Sequence, residues 1–166
     1  AEAAWLAARE FGTDLDAARR AVAVFRPLPH RLETVAEIDG VMYVNDSKCT
    51  TLEALKVALA AFDRPVLLLA GGTYKVPRHV KAVGLFGASR DKFEPAWKDL
   101  TPVTWDPTLR EALARLRGLA RPGDVVLLAP ATSSYDQYAN YKERGEDFRR
   151  AVLDRPAPHT TEGVPA

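Results

Sequence analysis

The stretch VMYVNDSKCTTLEALKVALAAF, residues 41–62, changes its hydrophobic period halfway along. Residues 41–44 are continuously apolar, as in a strand that is buried on both faces. From Leu52 onward, apolar residues recur every three or four positions, as on one face of a helix. Polar residues separate the two patterns. We therefore predict a strand, a polar loop and a helix, the unit from which α/β domains are built.

The same alternation continues along the chain. Asp39-Gly40, between two apolar runs, is typical of a β-hairpin turn. Strands are predicted at 65–72, 83–87, 102–105 and 124–130, and helices at 50–62, 88–98, 108–119 and 139–153. We expect Thr50 with Glu53 to cap the first of these helices and Asp106-Pro107 to begin the third. The pattern predicts a Rossmann-like α/β domain: a mostly parallel sheet with helices on both faces and one antiparallel hairpin.

Two shorter periodic segments precede this domain and predict two leading helices, at about 1–11 and 15–25. We expect Thr13 or Asp14 to cap the second helix. Pro27 and Pro29 then interrupt the pattern. We interpret residues 1–26 as a helical remnant of a preceding domain, 27–154 as the α/β domain, and the proline-rich residues 155–166 as a flexible tail.

Composition excludes several classes of partner. The chain has 166 residues and a net charge of +1, which does not favour binding to nucleic acid or to an anionic membrane. No apolar run approaches the roughly 20 residues that span a bilayer, and the first residues lack the pattern of a signal peptide. The single cysteine, Cys49, fits a reducing compartment. We expect a cytoplasmic monomer.

Polar residues, and in one case a glycine pair, follow three of the predicted strands. They are Asp46, Ser47, Lys48 and Thr50 after the first, Gly71, Gly72, Thr73 and Lys75 after the second, and Thr132, Ser133, Ser134 and Asp136 after the third. Ligands of open α/β sheets bind beyond the carboxyl ends of the strands. Lysine ammonium groups and helix N-termini both favour anions. The sequence therefore predicts a site for a small ligand that carries carboxylate or phosphate groups.

Each of these residues also has a purely structural interpretation. Thr50 and Ser134 could cap helices, Asp46 and Ser47 could form an ordinary turn, and the lysines could be solvated surface charges. We expect Cys49 to be a packed side chain and not a nucleophile. The segment 142–150 is predicted to be a solvated helix face with spaced opposite charges. We expect no metal site, because the three histidines are scattered along the chain.

Four blocks of sequence carry a family resemblance: LPHRLE (28–33), NDSKCT (45–50), LLLAGGTYK (67–75) and LLAPATSSYDQYANYKERGEDF (127–148). In order and spacing they resemble the C-terminal third of the ATP-dependent Mur ligases. The Asp-Ser-Lys form of the second block is similar to the branch that adds D-glutamate. The resemblance implies an enzyme of peptidoglycan synthesis that joins D-glutamate to UDP-N-acetylmuramoyl-L-alanine through an acyl phosphate, with ATP and Mg²⁺.

The resemblance also implies residue roles. D-glutamate would be contacted by Lys48, which is also the catalytic candidate, and by Thr50, Lys75, Ser134 and Tyr141. ATP would be contacted by Arg31 and Asp46. Tyr141 stands where the family usually has phenylalanine.

The chain contains no glycine-rich phosphate loop with Lys-Ser/Thr. We therefore expect ATP and Mg²⁺ to be bound mainly by a central domain outside this chain, and the chain alone to be inactive. The N-terminal and central domains of the same enzyme would then be its partners. Two alternatives remain open: a sister ligase or folylpolyglutamate synthase-like domain that adds another amino acid, and a non-catalytic α/β ligand-binding module.

Overall fold

The computed structural model describes residues 2–25, 28–70 and 79–154. Six helices and six strands are described: α1 (Glu2–Glu10), α2 (Leu15–Val24), β1 (Glu33–Ile38), β2 (Val41–Asn45), α3 (Leu52–Leu59), β3 (Val66–Leu69), β4 (Val80–Phe86), α4 (Arg90–Trp97), β5 (Val103–Asp106), α5 (Leu109–Leu119), β6 (Val125–Leu128) and α6 (Tyr141–Leu153). A short 3₁₀ turn, Gly87–Ser89, precedes α4. No helix among these residues is long and apolar enough to cross a bilayer.

The strands form one sheet in the order β1-β2-β6-β3-β4-β5. β1 runs antiparallel to β2, and the remaining pairs are parallel. Asp39 and Gly40, which join β1 to β2, both have positive φ, as a two-residue hairpin turn requires. The predicted mostly parallel sheet with one antiparallel hairpin is confirmed.

Both faces of the sheet are covered, which explains why its central strands are continuously apolar. Successive residues of β3 point to opposite faces: Leu68 joins a core with α3 and α4, and Leu67 joins a core with α5 and α6. Leu127 and Val126 of β6 divide in the same way. The carboxyl ends of β2, β6 and β3 consequently lie side by side at one edge.

The helix after β2 begins at Leu52, two residues after the start of the predicted range 50–62. Thr51, not Thr50, is its N-cap: the Thr51 hydroxyl accepts a hydrogen bond from the Ala54 N–H at 3.2 Å. The prediction that Thr50 pairs with Glu53 in a capping box is wrong. Adjacent threonines make the cap ambiguous in the sequence, and the fold resolves it by leaving Thr50 exposed at the edge of the sheet.

The predicted start of α5 is also wrong. Asp106 is the last residue of β5, and its carboxylate accepts hydrogen bonds from the Arg115 guanidinium at 2.6–3.1 Å. Thr108 is the N-cap, and it forms a reciprocal capping box with Glu111. The capping box satisfies two backbone N–H groups at once, which favours this start.

Strand β4 begins at Val80, three residues before the predicted strand. Lys81 concealed this part of the strand, because a charged residue interrupts the apolar pattern. Its ammonium lies 2.6 Å from the Asp124 carboxylate. A charged side chain is therefore accommodated in the strand by an ion pair across the sheet.

The two leading helices form as predicted, and Asp14 caps α2 through a hydrogen bond from the Ala17 N–H at 2.7 Å. No residue of α2 is buried. The assignment of residues 1–26 to a preceding domain stays a prediction. The predicted tail at 155–166 lies outside the described residues.

The cap assignment can be tested by replacing each threonine with alanine. Thr51→Ala should lower the free energy of unfolding by about 1 kcal/mol, because it removes an N-cap. Thr50→Ala should change it by less than about 0.5 kcal/mol, as is usual for an exposed position. Urea unfolding followed by circular dichroism measures both, and the opposite ranking of the two variants would contradict the assignment.

Candidate functional site

The loop after β2 is fixed against the end of β6 by backbone hydrogen bonds. The Asp46 N–H donates to the Leu128 carbonyl at 2.8 Å, and the Ala131 N–H donates to the Cys49 carbonyl at 3.0 Å. The Cys49 N–H closes the loop on the Asp46 carbonyl at 2.8 Å. Two strand ends that are distant in sequence therefore form one continuous edge.

Asn45, at the end of β2, joins this edge to helix α6. Its buried amide donates to the Gly145 carbonyl and to the His30 Nδ1, each at 3.0 Å. Its side-chain oxygen accepts from the Ser47 N–H at 3.1 Å. A Cβ added at Gly145 would overlap the His30 imidazole, so glycine is needed for this close approach. Burial lowers the pKa of His30, which favours the neutral ring that accepts from Asn45.

Arg144 of α6 is the buried cation of the site, with 1% of its surface exposed. Its Nε donates to the Ser47 hydroxyl at 3.0 Å and its Nη2 donates to the Ser47 carbonyl at 2.9 Å. Its Nη1 donates to the carbonyls of Thr132 and Ser133, each at 3.2 Å. Burial lowers the pKa of Arg144 to about 10, so the group remains charged at neutral pH. Arg144 thus joins the loops that follow β2 and β6.

The prediction that residues 142–150 form a solvated helix face is wrong at Arg144. Arg144 lies on the apolar face of α6, four residues before the buried Phe148 and eight before the buried Val152. That spacing was the available signal, since residues four and eight apart share one face of a helix. The spaced opposite charges of the segment predicted only its solvated face.

Lys48 and Tyr141 are in contact, as expected of two residues of one site. The Lys48 ammonium lies 4.2 Å from the centre of the Tyr141 ring, within the range of a cation–π interaction. The backbone N–H of Lys48 donates to the His30 carbonyl at 3.1 Å, and the His30 ring meets the Tyr141 ring edge-on. The Tyr141 carbonyl accepts the Ser47 hydroxyl at 2.7 Å. These contacts fix the segment from which Lys48 projects.

A cleft of about 720 Å³ opens beside this cluster. Arg31, Asp46, Lys48 and Thr50 all line it. Burial raises the pKa of Asp46, and the hydrogen bond from the Leu32 N–H at 3.2 Å and the charge of Arg31 oppose that rise. The structure therefore brings together four of the seven residues predicted to bind ligands.

The other three predicted residues have different positions. Tyr141 is on α6 beside Lys48. Ser134 is buried in the loop after β6, directly after the two carbonyls that Arg144 holds, and does not line the cleft. It is not a helix cap, because Asn140 caps α6. Lys75 lies outside the described residues.

Comparison with known proteins finds sequences that are similar to most of this chain. The chain is 61% identical over 162 residues to a UDP-N-acetylmuramoylalanine–D-glutamate ligase from Nitratidesulfovibrio vulgaris strain DP4, covering 92% of this chain and 37% of the relative. The match is to the C-terminal part of that relative. Over most of its length, the chain is therefore similar to the C-terminal part of a ligase of this name. A relative of the same name from Oleidesulfovibrio alaskensis is 58% identical over 91% of this chain and 36% of its own length.

The chain thus spans little more than a third of the length of these Mur ligase relatives. A murein peptide ligase from Psychrobacter arcticus 273-4 has a similar fold, with a TM-score of 0.53 at 12% identity over 92% of this chain and 36% of that one. A UDP-N-acetylmuramoyl-L-alanyl-D-glutamate–2,6-diaminopimelate ligase gives a TM-score of 0.50 at 16% identity over 90% of this chain and 37% of that one. No family model matches the chain.

Cys49, in the loop after β2, serves packing. Its side chain is buried, and burial raises the pKa of its thiol to about 12. The thiolate is the reactive form of cysteine. The prediction that Cys49 is packed is confirmed.

This burial predicts slow thiol chemistry. At pH 8, Ellman's reagent should label the folded chain at least about a hundredfold more slowly than the urea-unfolded chain, whose thiol has an ordinary pKa of about 8.5. The chain has a single cysteine, so absorbance at 412 nm reports Cys49 alone. Complete labelling of folded protein at the unfolded rate would contradict the packed position.

Proposed function

We propose that this chain is the amino-acid-binding domain of an ATP-dependent ligase that adds D-glutamate to UDP-N-acetylmuramoyl-L-alanine in peptidoglycan synthesis. The observation that carries the proposal is its 61% identity to a ligase of that name over 92% of the chain. The site is chemically suited to the role. Lys48 and Thr50 lie at the edge of a cleft, and the ammonium of Lys48 is a suitable partner for a carboxylate.

The proposed reaction has two steps. ATP transfers its terminal phosphoryl group to the L-alanine carboxylate, giving an acyl phosphate and ADP. The amine of D-glutamate then attacks the acyl carbon, loses a proton, and displaces inorganic phosphate to form the amide. Mg²⁺ supplies charge compensation for the phosphoryl groups when bound. We place Mg²⁺ and the ATP phosphates mainly on the other domains of the ligase, with Arg31 and Asp46 of this chain contacting ATP at the cleft.

Lys48, Thr50, Lys75, Ser134 and Tyr141 are proposed to bind the amino acid. D-glutamate carries two carboxylates, and each charge-assisted hydrogen bond contributes about 1.5–3 kcal/mol. In the structure the Lys48 ammonium rests on the Tyr141 ring, an interaction worth about 0.5–2 kcal/mol. A carboxylate can therefore draw the ammonium off the ring at little cost. Lys48 would then hold the amino acid in place while its amine attacks.

The rest of the ligase is the proposed partner of this chain. Val22, Val24 and Phe25 of α2 and its C-terminal end are 60%, 78% and 70% exposed. Contiguous exposed apolar surface marks an interface, and we propose that a central domain covers it. The cytoplasm, which holds ATP and the nucleotide-linked substrate, is the proposed location.

The test is steady-state kinetics of the full-length ligase with D-glutamate, ATP, Mg²⁺ and UDP-N-acetylmuramoyl-L-alanine. Lys48→Ala should lower kcat/KM for D-glutamate by about 10- to 100-fold, the loss expected for one charge-assisted hydrogen bond. Lys98→Ala, a matched change of an exposed lysine after α4, should leave it unchanged.

Product analysis by mass spectrometry distinguishes a D-glutamate ligase from a sister ligase and from a non-catalytic binding module. Formation of the D-glutamyl product supports the proposal. Preferential use of another amino acid would replace it with a sister ligase activity. Absence of any ATP-dependent product in the full-length protein would point to a binding module and would overturn the proposal.

A further inference from the structure

We propose that Arg144 is a positioning residue of the amino-acid site: it helps to hold the loop that bears Lys48 against the loop that bears Ser134, the two loops proposed to bind the amino acid. This inference rests on the function proposed above. It adds a residue that lies outside the set predicted to touch substrate. Arg144 acts through other groups, so it is not itself a catalytic residue.

The contacts of Arg144 add side-chain hydrogen bonds to the backbone hydrogen bonds that already join the loops after β2 and β6. One side of the guanidinium holds Ser47 by its hydroxyl and its carbonyl, at 3.0 and 2.9 Å. The other side holds the carbonyls of Thr132 and Ser133 at 3.2 Å. Lys48 is the next residue after Ser47, and Ser134 is the next residue after Ser133. The guanidinium therefore contributes, with the Ala131–Cys49 backbone hydrogen bond, to the separation of these two neighbours.

The Ser47 hydroxyl connects Arg144 to Tyr141, a third residue proposed to bind the ligand. It accepts from Arg144 Nε and donates to the Tyr141 carbonyl at 2.7 Å. The Tyr141 ring is the surface on which the Lys48 ammonium rests. The backbone of Tyr141 and the start of the Lys48 side chain are thus fixed through the same hydroxyl.

The partners of Arg144 are unusual for a buried cation. Among residues 2–25, 28–70 and 79–154, no carboxylate forms an ion pair with it. Its acceptors are neutral oxygens, three of them backbone carbonyls. Buried charges are ordinarily paired. Burial lowers the pKa of Arg144 and the charge of nearby Asp136 opposes that fall, but it is the hydrogen bonds to neutral oxygens of the two loops that fix the guanidinium.

Arginine suits this role better than lysine does. Its planar guanidinium presents five donors in a fixed fork, and four hydrogen bonds here use three nitrogens in two directions. A lysine keeps the charge but has three donors on one atom. Arg144→Lys should therefore retain the charge and loosen the geometry, while Arg144→Met removes both.

The experiment compares wild type, Arg144→Met, Arg144→Lys and the control Arg150→Met in the full-length ligase. Arg150 is an exposed arginine on the same helix. In Arg144→Met, KM for D-glutamate should rise about tenfold or more, while KM for UDP-N-acetylmuramoyl-L-alanine changes by less than about twofold. Arg144→Lys should recover part of the loss, to about a threefold rise. Arg150→Met should behave as wild type.

A merely structural role predicts a different result. Loss of folded protein would lower kcat for all substrates together and leave each KM unchanged. That outcome, or equal rises in KM for D-glutamate and UDP-N-acetylmuramoyl-L-alanine, would overturn the inference. If Arg144→Met does not fold, Ser47→Ala replaces it, because this variant removes one acceptor and keeps the two bonds to the β6 loop. An unchanged KM for D-glutamate in Ser47→Ala would also overturn it. Failure of wild type to use D-glutamate would instead refute the proposed function.

Discussion

The guanidinium of Arg144 donates hydrogen bonds to the loop after β2 and to the loop after β6 from a position with 1% of its surface exposed. A parallel sheet brings strand ends to one edge, but it does not fix how far apart the following loops stand. Backbone carbonyls that leave a sheet need new partners when they are buried. Arg144 supplies them for Ser47, Thr132 and Ser133 together. Together with the backbone hydrogen bonds between the two loops, this group holds the segments that bear Lys48 and Ser134 against each other.

The close approach of α6 to the sheet depends on Gly145. Gly145 follows Arg144 and faces the His30 ring, where any side chain would overlap the imidazole. The Gly145 carbonyl accepts the Asn45 amide at 3.0 Å. His30 has positive φ and uses its carbonyl to hold the Lys48 N–H. Sequence elements from both ends of the domain therefore meet behind the proposed ligand site.

Local patterns predicted most of the architecture, because the determining signals lie within a few residues of each other. The apolar run at 66–69 predicted a buried strand, and Asp39-Gly40 predicted the hairpin. Two neighbouring threonines could each cap the helix after β2. The local pattern predicted Thr50 as the N-cap, whereas the N-cap in the structure is Thr51. The strand at Val80 was shortened in the prediction because the partner of Lys81, Asp124, is distant in sequence.

The site was predicted only in part, for a related physical reason. Residues that follow a strand can be placed at the sheet edge from topology alone, which located Lys48 and Thr50. Arg144 could not be found by that rule, since its role is set by Ser47, 97 residues away. Charged residues on a helix are usually solvated, and only the shared face with Phe148 and Val152 indicated otherwise.

A crystal structure of the full-length ligase with D-glutamate tests the central claim most directly. The account predicts one D-glutamate molecule with Lys48 Nζ and Ser134 Oγ each about 2.7–3.2 Å from its carboxylate oxygens, and with Arg144 still hydrogen-bonded to Ser47, Thr132 and Ser133. A ligand bound away from these loops, or an Arg144 side chain turned out of the edge while Lys48 and Ser134 still share the ligand, would contradict it.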